Sequence, residues 1–285
     1  MKSLGTLFSE ILPRNSHNLN VNRVLVLLSA TLTLSAQAPS PAPVSIADSL
    51  AGRRYDTVGD TAVRTTLEYP LDVVADSSGG FVLVDNGNHR ILRVRSNDTV
   101  ETVAGNGTCG FAGDGGPATQ ASFRAVFGLA FDTEGRLLIS DTSNNRIRRI
   151  ESNGTVRTIA GNGANTFATI DNSPATTTPI AFPVGLAFDR ATNSLFIGEG
   201  FRRVLRLNPD GSLSTVAGTG FSGTSGDGGL ATAALFSNVR DIALDPARRV
   251  LYVADAGANR IRAIDLATGI IQHHAGIRIT NSPNL

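Results

Sequence analysis

Two aspartates could act together, because they occupy the same place in different copies of a repeated apolar run. Asp72 and Asp241 each stand at the start of such a run, where two other copies have Gly128 and Gly185. Carboxylate oxygens are the ligands that hard divalent cations prefer. If the chain holds a metal ion, we expect Asp72 and Asp241 to bind it. Because the matching positions supply no Glu or His, we predict neither a metal site nor a cofactor.

A second candidate is a glycine-rich segment that occurs twice. It reads G-D-G-G-P-A-T at 113–119 and G-D-G-G-L-A-T at 226–232, so Asp114 and Asp227 are equivalent. A calcium loop needs several carboxylates at alternate positions, and a phosphate loop needs Lys-Ser/Thr and a following helix. Neither pattern occurs in these segments. We therefore predict tight loops that the aspartates cap, with ligand binding by Asp114 and Asp227 as the alternative.

A third set of residues recurs at one turn of each repeated unit. This turn reads D-N-G-N-H-R-I from 85, D-T-S-N-N-R-I from 141 and D-A-G-A-N-R-I from 255, with a weaker copy from Glu199. Short polar side chains commonly hydrogen-bond the backbone of a turn, and stacking is a role that every repeat must fill. We therefore assign structural roles to the repeated charged residues, Asp85, Asp141, Asp255, Arg90, Arg146 and Arg260. A ring of ligand-binding residues is the alternative, with Asn88, His89, Asn145 and Asn259 as candidates.

Short strands must position these residues. The unit at 129–161 has apolar runs at Leu129–Asp132, Leu137–Asp141, Ile147–Ile150 and Thr155–Ala160, which we name strands A, B, C and D. Gly, Asn, Asp and Ser separate the runs, as in β-turns. No connection within the unit is long enough for a crossover helix, so we predict an antiparallel meander.

The unit recurs at a nearly constant interval. The B–C turn begins at residues 85, 141, 199 and 255, which are 56, 58 and 56 residues apart. The Ala-Gly that ends strand D begins at 104, 160, 217 and 275, with intervals of 56, 57 and 58. Each unit can bury its apolar faces only against its neighbours. The sequence therefore predicts an all-β propeller with four blades, at 71–104, 128–160, 185–217 and 241–275.

These residues resemble the NHL-repeat family of β-propellers, whose motif ends in a D-x-x-N-x-R-I-like turn. The G-D-G-G-P-A-T segment between blades is similar to the long-repeat form in bacterial secreted proteins and in the teneurin propeller. The resemblance covers about Ile46 to Gly276. It implies the fold but no single activity, because one fold supports many functions. The family includes binding scaffolds, and the lactonase-type propellers, which hold a channel metal, have a similar fold.

The strand count predicts a propeller that does not close. Ser45–Ala51 is interpreted as a strand D, so the chain has one more D than it has A, B or C. The family usually has about six blades, within the usual range of propellers. We therefore expect an incomplete six-bladed propeller. The alternatives are a closed four-bladed ring with a surplus strand, or an open arc whose blade edges associate with a second copy.

The N-terminus predicts export. A basic residue, an apolar run over 24–34 and an Ala-x-Ala site indicate that 1–38 is a leader with a signal peptide. An uncleaved anchor or a buried helix is the alternative. A Pro-rich spacer at 39–45 follows, and 277–285 forms a tail. We expect a secreted, periplasmic or cell-surface protein with no membrane span after cleavage.

Charge and loop length indicate the kind of function. The net charge of +1, from 25 basic and 24 acidic residues, gives no reason to expect a nucleic-acid partner. Strands alternate in direction, so the B–C turns and the long D–A loops should share one face, where binding is usually located. We predict a non-enzymatic scaffold that binds a protein or glycan there. The alternatives are a metal-dependent hydrolase, lactonase or lyase, and a self-associating open propeller.

Overall fold

The computed structural model describes residues 61–167, 170–200 and 202–276. The predicted leader, the spacer, the strand at Ser45–Ala51 and the tail at 277–285 all lie outside these residues.

Four antiparallel sheets form the blades, each with four strands in chain order, and the third sheet has an additional strand at its outer edge. Blade 1 consists of β1 (Pro70–Ala75), β2 (Phe81–Asp85), β3 (Arg90–Val94) and β4 (Val100–Ala104). Blade 2 consists of β5 (Val126–Phe131), β6 (Leu137–Asp141), β7 (Arg146–Ile150) and β8 (Val156–Ala160). After β9 (Asp171–Pro174), blade 3 consists of β10 (Pro183–Asp189), β11 (Ser194–Glu199), β12 (Arg203–Leu207) and β13 (Ser212–Ala217). Blade 4 consists of β14 (Val239–Asp245), β15 (Val250–Asp255), β16 (Arg260–Asp265) and β17 (Ile271–Ala275).

Single 3₁₀ turns connect several strands. Three of them form B–C turns, at Asn86–Asn88, Thr142–Asn144 and Ala256–Ala258. Three more precede inner strands, at Ala62–Arg64, Ala118–Gln120 and Ala231–Ala233. The predicted four-bladed propeller arrangement is confirmed. No helix in the described part of the chain is long and apolar enough to cross a membrane.

The core consists of the spaces between successive blades, because alternate residues of each strand face opposite sides of the sheet. Ile91 of blade 1 and Leu129 and Ile139 of blade 2 belong to one buried cluster. Two further clusters join blade 2 to blade 3 and blade 3 to blade 4 in the same way. The three largest buried clusters are therefore shared by neighbouring blades, which is the reason that the repeat must stack, while a smaller cluster of Leu83, Leu92, Val94 and Val100 lies within blade 1.

The inner strands approach each other most closely at two glycines. A Cβ on Gly185 would lie 2.8 Å from Ile242 N, and one on Gly128 would overlap the carbonyl of Val184. In each inner strand the pairing register shifts at this level, as in a β-bulge. Backbone from one blade therefore rests directly on backbone of the next.

The described blades form an open arc. Inner strands β1 and β5, β5 and β10, and β10 and β14 pack against each other, whereas within the described residues β14 does not pack on β1 in this way. This arrangement argues against a closed four-bladed ring. Val73 of blade 1 is 39 % exposed, while its counterparts Leu129 and Leu186 are 4 % and 8 % exposed. The incomplete six-bladed propeller and association through blade edges stay predictions; a monodisperse monomer in light scattering would contradict the association.

The long D–A loops differ from the expectation that they lie wholly on the B–C face. Their middle parts run along the outer strand of the next blade: Pro117 pairs with Thr155, Leu230 with Ile270, and β9 with β13. Thr61 pairs with Thr99 of blade 1 in the same way. An outer strand would otherwise present a row of unpaired backbone groups. Each loop therefore covers the edge of the blade that it enters, and only its first part lies beside the B–C turns.

Candidate functional site

The carboxylate that ends each B strand accepts hydrogen bonds from backbone just before the inner strand of the same blade. The four bonds are Glu68 N to Asp85 Oδ1 (2.7 Å), Arg124 N to Asp141 Oδ1 (2.9 Å), Ala181 N to Glu199 Oε1 (3.0 Å) and Ser237 N to Asp255 Oδ1 (3.0 Å). All four carboxylates are fully buried. Burial raises the pKa of Asp141 to about 6 and also raises the pKa of Glu199 and Asp255, while the hydrogen bonds lower these values. These contacts fit the structural role assigned to Asp85, Asp141 and Asp255.

The amides of the B–C turns have two different positions. Asn88 donates to both oxygens of Asp85 at 3.0 and 2.9 Å, and Asn144 donates to Asp141 at 2.8 Å. His89, in contrast, has a left-handed backbone (φ 50°), as do Asn145 and Asn259 (both φ 53°). His89, and not Asn88, is therefore the counterpart of Asn145 and Asn259.

Asn145 is used within the protein. Its Nδ2 donates to Gly163 O at 3.2 Å and its Oδ1 accepts from Phe182 N at 3.0 Å, which ties blade 2 to the segment before blade 3. Asn259 is exposed and His89 is half-buried. The binding role of these turn residues stays a prediction.

Two fully buried arginines, which sequence reasoning did not single out, explain the Gly-Asp-Gly-Gly segments. Arg148 Nη2 lies 2.7 Å from Asp114 Oδ1, and Arg262 Nε lies 2.8 Å from Asp227 Oδ1. Arg148 also donates to the carbonyls of Ser122 (2.8 Å) and Ala112 (2.9 Å). Asp114 Oδ2 in turn accepts from Thr158 N and Oγ1, at 3.0 and 2.6 Å. In this structure the loop aspartates are partners of buried cations.

A sequence signal for these arginines exists. Arg148 and Arg262 occur in the two blades that an intact Gly-Asp-Gly-Gly segment precedes, whereas Leu92 and Leu205 hold this place in blades 1 and 3. Aligning strand C of the four copies would have shown this correlation.

The channel aspartates lie at the bulges of the inner strands. Asp72 Oδ1 accepts from Val73 N at 2.8 Å, and its Oδ2 accepts from Leu129 N of the next blade at 2.7 Å. Asp241 Oδ1 accepts from Ile242 N at 2.8 Å. Burial raises the pKa of Asp72 to about 7, with a further contribution from the charge of Asp241, and burial raises the pKa of Asp241 to about 6. The negative charge of Asp241 thus adds to the raised pKa of Asp72.

These two residues do not make up a set of metal ligands. Within the described residues no group of three or more His, Cys, Asp and Glu side chains is placed to hold a metal ion. Both oxygens of Asp72 already accept backbone hydrogen bonds. The residues present therefore do not fit the metal centre of the hydrolase alternative.

The face formed by the B–C turns, the first parts of the D–A loops and the segments before the inner strands, which we call the long-loop face, exposes aromatic side chains. Tyr69 is 76 % exposed, Phe221 73 %, Phe167 44 % and Phe111 42 %. Phe111 lies under Arg146, with 3.8 Å between the guanidinium carbon and the ring centre. The guanidinium carbon of Arg202 lies 5.6 Å from the ring centre of Phe167. Two of these aromatic rings therefore each lie beside a guanidinium group.

Comparison with known proteins finds similarity to NHL-repeat proteins. The family model for the NHL repeat matches residues 67–93, which include β1, β2 and most of β3. The chain is 25 % identical over 246 residues to NHL repeat-containing protein 2 of Bos taurus, covering 75 % of this chain and 33 % of that protein. It is 27 % identical over 225 residues to Teneurin-m of Drosophila melanogaster, covering 71 % of this chain and 8 % of that protein. The chain thus spans a third or less of the length of these relatives.

Among solved structures, the nidogen/laminin complex includes a chain that superposes with a TM-score of 0.51. The identity is 18 %, and the match covers 75 % of this chain and 67 % of that one. This similarity concerns the fold alone. The NHL-repeat assignment made from the B–C turns is confirmed.

Proposed function

We propose that this chain, an NHL-repeat β-propeller, is an exported, non-enzymatic scaffold that binds a protein or glycan through its long-loop face. The observation that carries the proposal is the set of exposed aromatic side chains on that face, Tyr69, Phe111, Phe167 and Phe221. Exposed apolar groups gathered on one face are typical of interaction surfaces. Aromatic residues and arginine are also the types enriched where proteins bind each other.

The backbone beneath these side chains is held in place. The buried carboxylates Asp85, Asp141, Glu199 and Asp255 tie each B–C turn to the segment before its inner strand. A side chain on such a support loses less conformational entropy on binding than one on a free loop. The long-loop face is therefore suited to recognition.

The other face has a different character. Its A–B and C–D turns carry internal ion pairs, such as Arg136 Nε to Asp132 Oδ2 at 2.7 Å and Arg248 to Asp245 at 3.1 Å. Charges that are already paired contribute little to recognition of a partner. The long-loop face is for this reason the better candidate.

A peptide-display library panned on the immobilised full chain tests the proposal. We expect peptides that bind the wild type and lose binding to the variant Phe111→Ser/Phe167→Ser/Phe221→Ser. Phe81→Ser is the matched control, because Phe81 is also exposed (38 %) but lies in β2. Peptides that bind all three proteins equally, or a library from which nothing is selected, would refute a peptide-binding long-loop face. Unchanged thermal midpoints establish that the variants are folded.

Export is tested separately. If 1–38 is a signal peptide, the protein recovered outside the cytoplasm begins at Pro39. The intact mass of the exported protein shows at which residue the mature chain begins. A mature chain that retains Met1 would contradict cleavage.

A propeller hydrolase is the second candidate, and the equivalent positions of Asp72 and Asp241 at the bulges of two inner strands are the observation that favours it. Because the described residues do not supply a set of metal ligands, we derive no reaction step for it. Elemental analysis of the purified full chain decides the matter. One equivalent of a divalent metal that is lost in Asp241→Asn would support this candidate, and the absence of stoichiometric metal would dispose of it.

A further inference from the structure

We infer that the long-loop face of blade 2 binds an acidic segment of a protein partner, with Arg124 and Arg146 opposite its carboxylates and Phe111 beside them. This inference rests on the proposed binding function and specifies the chemistry of the ligand.

Arg146 differs from the equivalent arginines of the other blades. Arg90 is 2.7 Å from Asp85, Arg203 is 2.6 Å from Glu199, and Arg260 is 3.2 Å from Asp227. Within the described residues Arg146 has no carboxylate at ion-pair distance. Its Nη1 and Nη2 donate instead to the carbonyls of Asn144 and Asn162, each at 2.8 Å.

Blade 4 has the same two arginines, and there Arg262 and Arg260 share Asp227, at 2.8 and 3.2 Å. In blade 2, Arg148 pairs with Asp114 Oδ1 at 2.7 Å and with Asp141 Oδ2 at 3.4 Å, but Arg146 pairs with neither carboxylate. The positive charge of Arg146 is half-buried on the long-loop face.

The guanidinium of Arg146 is held in one place. The ring of Phe111 covers it at 3.8 Å, and on the other side it occupies the space that a side chain at Gly163 would fill. A cation that is already ordered and partly removed from water attracts a carboxylate more strongly than a free surface arginine does. A carboxylate that approaches Arg146 also makes a charge-assisted hydrogen bond.

Arg124 adds a second cation to the same cluster. Its carbonyl accepts from Ser143 N at 3.0 Å, and the adjacent Phe123 carbonyl accepts from Gly110 N at 3.2 Å. These bonds attach the Arg124 segment both to the B–C turn and to the loop that carries Phe111. The side chain of Arg124 is exposed and, among the described residues, makes no ion pair. Two unpaired cations and an exposed ring thus lie on one small surface.

The balance of charge and apolar area favours a short acidic peptide segment. Binding of a polyanion depends on many phosphate contacts, whereas this cluster offers two cations on a chain whose net charge is +1. Phe111 and the exposed Phe167 of the neighbouring blade supply the apolar contact that a protein segment buries. Sulfated glycans and RNA are the other anionic classes, and the test below distinguishes them.

The first test is the composition of the peptides that the long-loop face selects. We expect enrichment in Asp and Glu among those peptides whose binding the triple phenylalanine variant abolishes. If such peptides are selected but show no acidic enrichment, the binding function stands and the present inference falls. If no selected peptide depends on the phenylalanines, the binding function itself falls.

The second test measures binding of a fluorescent Glu-Tyr copolymer to the full chain at low salt. We expect Arg124→Gln/Arg146→Gln to weaken binding at least about tenfold, the loss that removal of a charge-assisted hydrogen bond causes. Arg248→Gln is the matched control, because Arg248 is exposed on the opposite face, and it should bind as the wild type does. Equal affinity of the wild type and the double variant would overturn the inference. Tighter, equally arginine-dependent binding of heparin or of poly(U) would overturn it in favour of a polyanion.

Discussion

Arg148 in strand C of blade 2 and Asp114 in the loop from blade 1 are 34 residues apart and form an ion pair of 2.7 Å. The guanidinium is fully buried and the carboxylate is one-third exposed. The pair joins the loop to the blade whose outer edge that loop covers. Its position makes the Gly-Asp-Gly-Gly segment part of the fold.

Removing this carboxylate should destabilise the protein. We expect Asp114→Ala to lower the free energy of unfolding by about 2 to 3 kcal/mol, because it leaves a buried cation with fewer partners. The cost should fall by at least half when Arg148→Met is added, since no buried charge then remains to be paired. Urea unfolding at neutral pH measures both values.

The control for this experiment is Asp210→Ala. Among the described residues, the Asp210 side chain bonds to Ser212 in an exposed turn, so its loss should leave the free energy of unfolding close to that of the wild type. An Asp114→Ala variant as stable as this control would show that the ion pair does not hold the loop.

The channel carboxylates should make stability fall as pH rises. The pKa of Asp241 is raised from 3.8 to about 6, so the folded state binds its proton more tightly than the unfolded state does. The resulting stabilisation is fully present below pH 3.8 and is lost as pH rises through about 6. Asn at this position carries no charge at any pH. We expect Asp241→Asn to be more stable than the wild type at pH 7.5 by about 1 to 3 kcal/mol, with the difference disappearing near pH 4.

Urea unfolding of both proteins between pH 4 and pH 8 measures this difference. Other groups titrate in the same range, so only the difference between variant and wild type is informative. Parallel stability curves for the two proteins would show that Asp241 does not titrate as described.

The ion pair between blades 3 and 4 should have the opposite pH dependence. Arg249 Nη1 and Nη2 lie 2.7 and 2.8 Å from the two oxygens of Asp189, and these bonds lower the pKa of Asp189 to about 2. The stabilisation is therefore present above pH 3.8 and is lost as pH falls through about 2. We expect Arg249→Ala to lose about 1 to 3 kcal/mol at pH 7, because it leaves a buried carboxylate with fewer partners.

The free energy of unfolding, measured from pH 7 to pH 2, compares this variant with Arg248→Ala. The side chain of Arg248 is mostly exposed. The cost of Arg249→Ala should shrink toward pH 2 and that of Arg248→Ala should stay small throughout. A cost of Arg249→Ala that is independent of pH would mean that packing, and not the ion pair, explains it.

The close contact between inner strands predicts that adding one methyl group at a glycine there lowers the stability of the protein. We expect Gly185→Ala to destabilise the protein by about 2 kcal/mol or more, since its Cβ would press on Asp241 and Ile242 N across the blade interface. Gly229→Ala is the control, because a Cβ there meets nothing closer than 3.5 Å and its backbone φ is not positive. Thermal unfolding midpoints compare the two variants. Equal midpoints would mean that the inner strands of neighbouring blades move apart easily to accept the methyl group.

Much of the blade architecture could be predicted from the sequence because it is local. Period-two apolar runs and turn residues are enough to locate a strand such as β6 (Leu137–Asp141), whose predicted and observed bounds agree. The repeated Asp at the end of strand B could likewise be assigned a structural role from its recurrence alone. Its bond partners, 17 or 18 residues away, follow from the meander.

The path of the D–A loops could not be predicted in this way. Nothing near Asp114 in sequence shows that its partner is Arg148, because the loop reaches that arginine only after the blade has folded. The same is true of Leu129 N, which bonds Asp72 of the preceding blade 57 residues away. Asn88 was grouped with Asn145 and Asn259 by residue type, whereas the left-handed backbone makes His89 their counterpart.

The sequence by itself determined how many blades the described chain forms, which runs become strands and which family of repeats they resemble, because strand pairing within a blade uses neighbours in the chain. Only the tertiary structure decided which charges are paired. Contacts between blades join residues such as Asp72 and Leu129, 57 positions apart. Arg148 reaches Asp114 and Arg146 does not, and this depends on distances that no local pattern encodes.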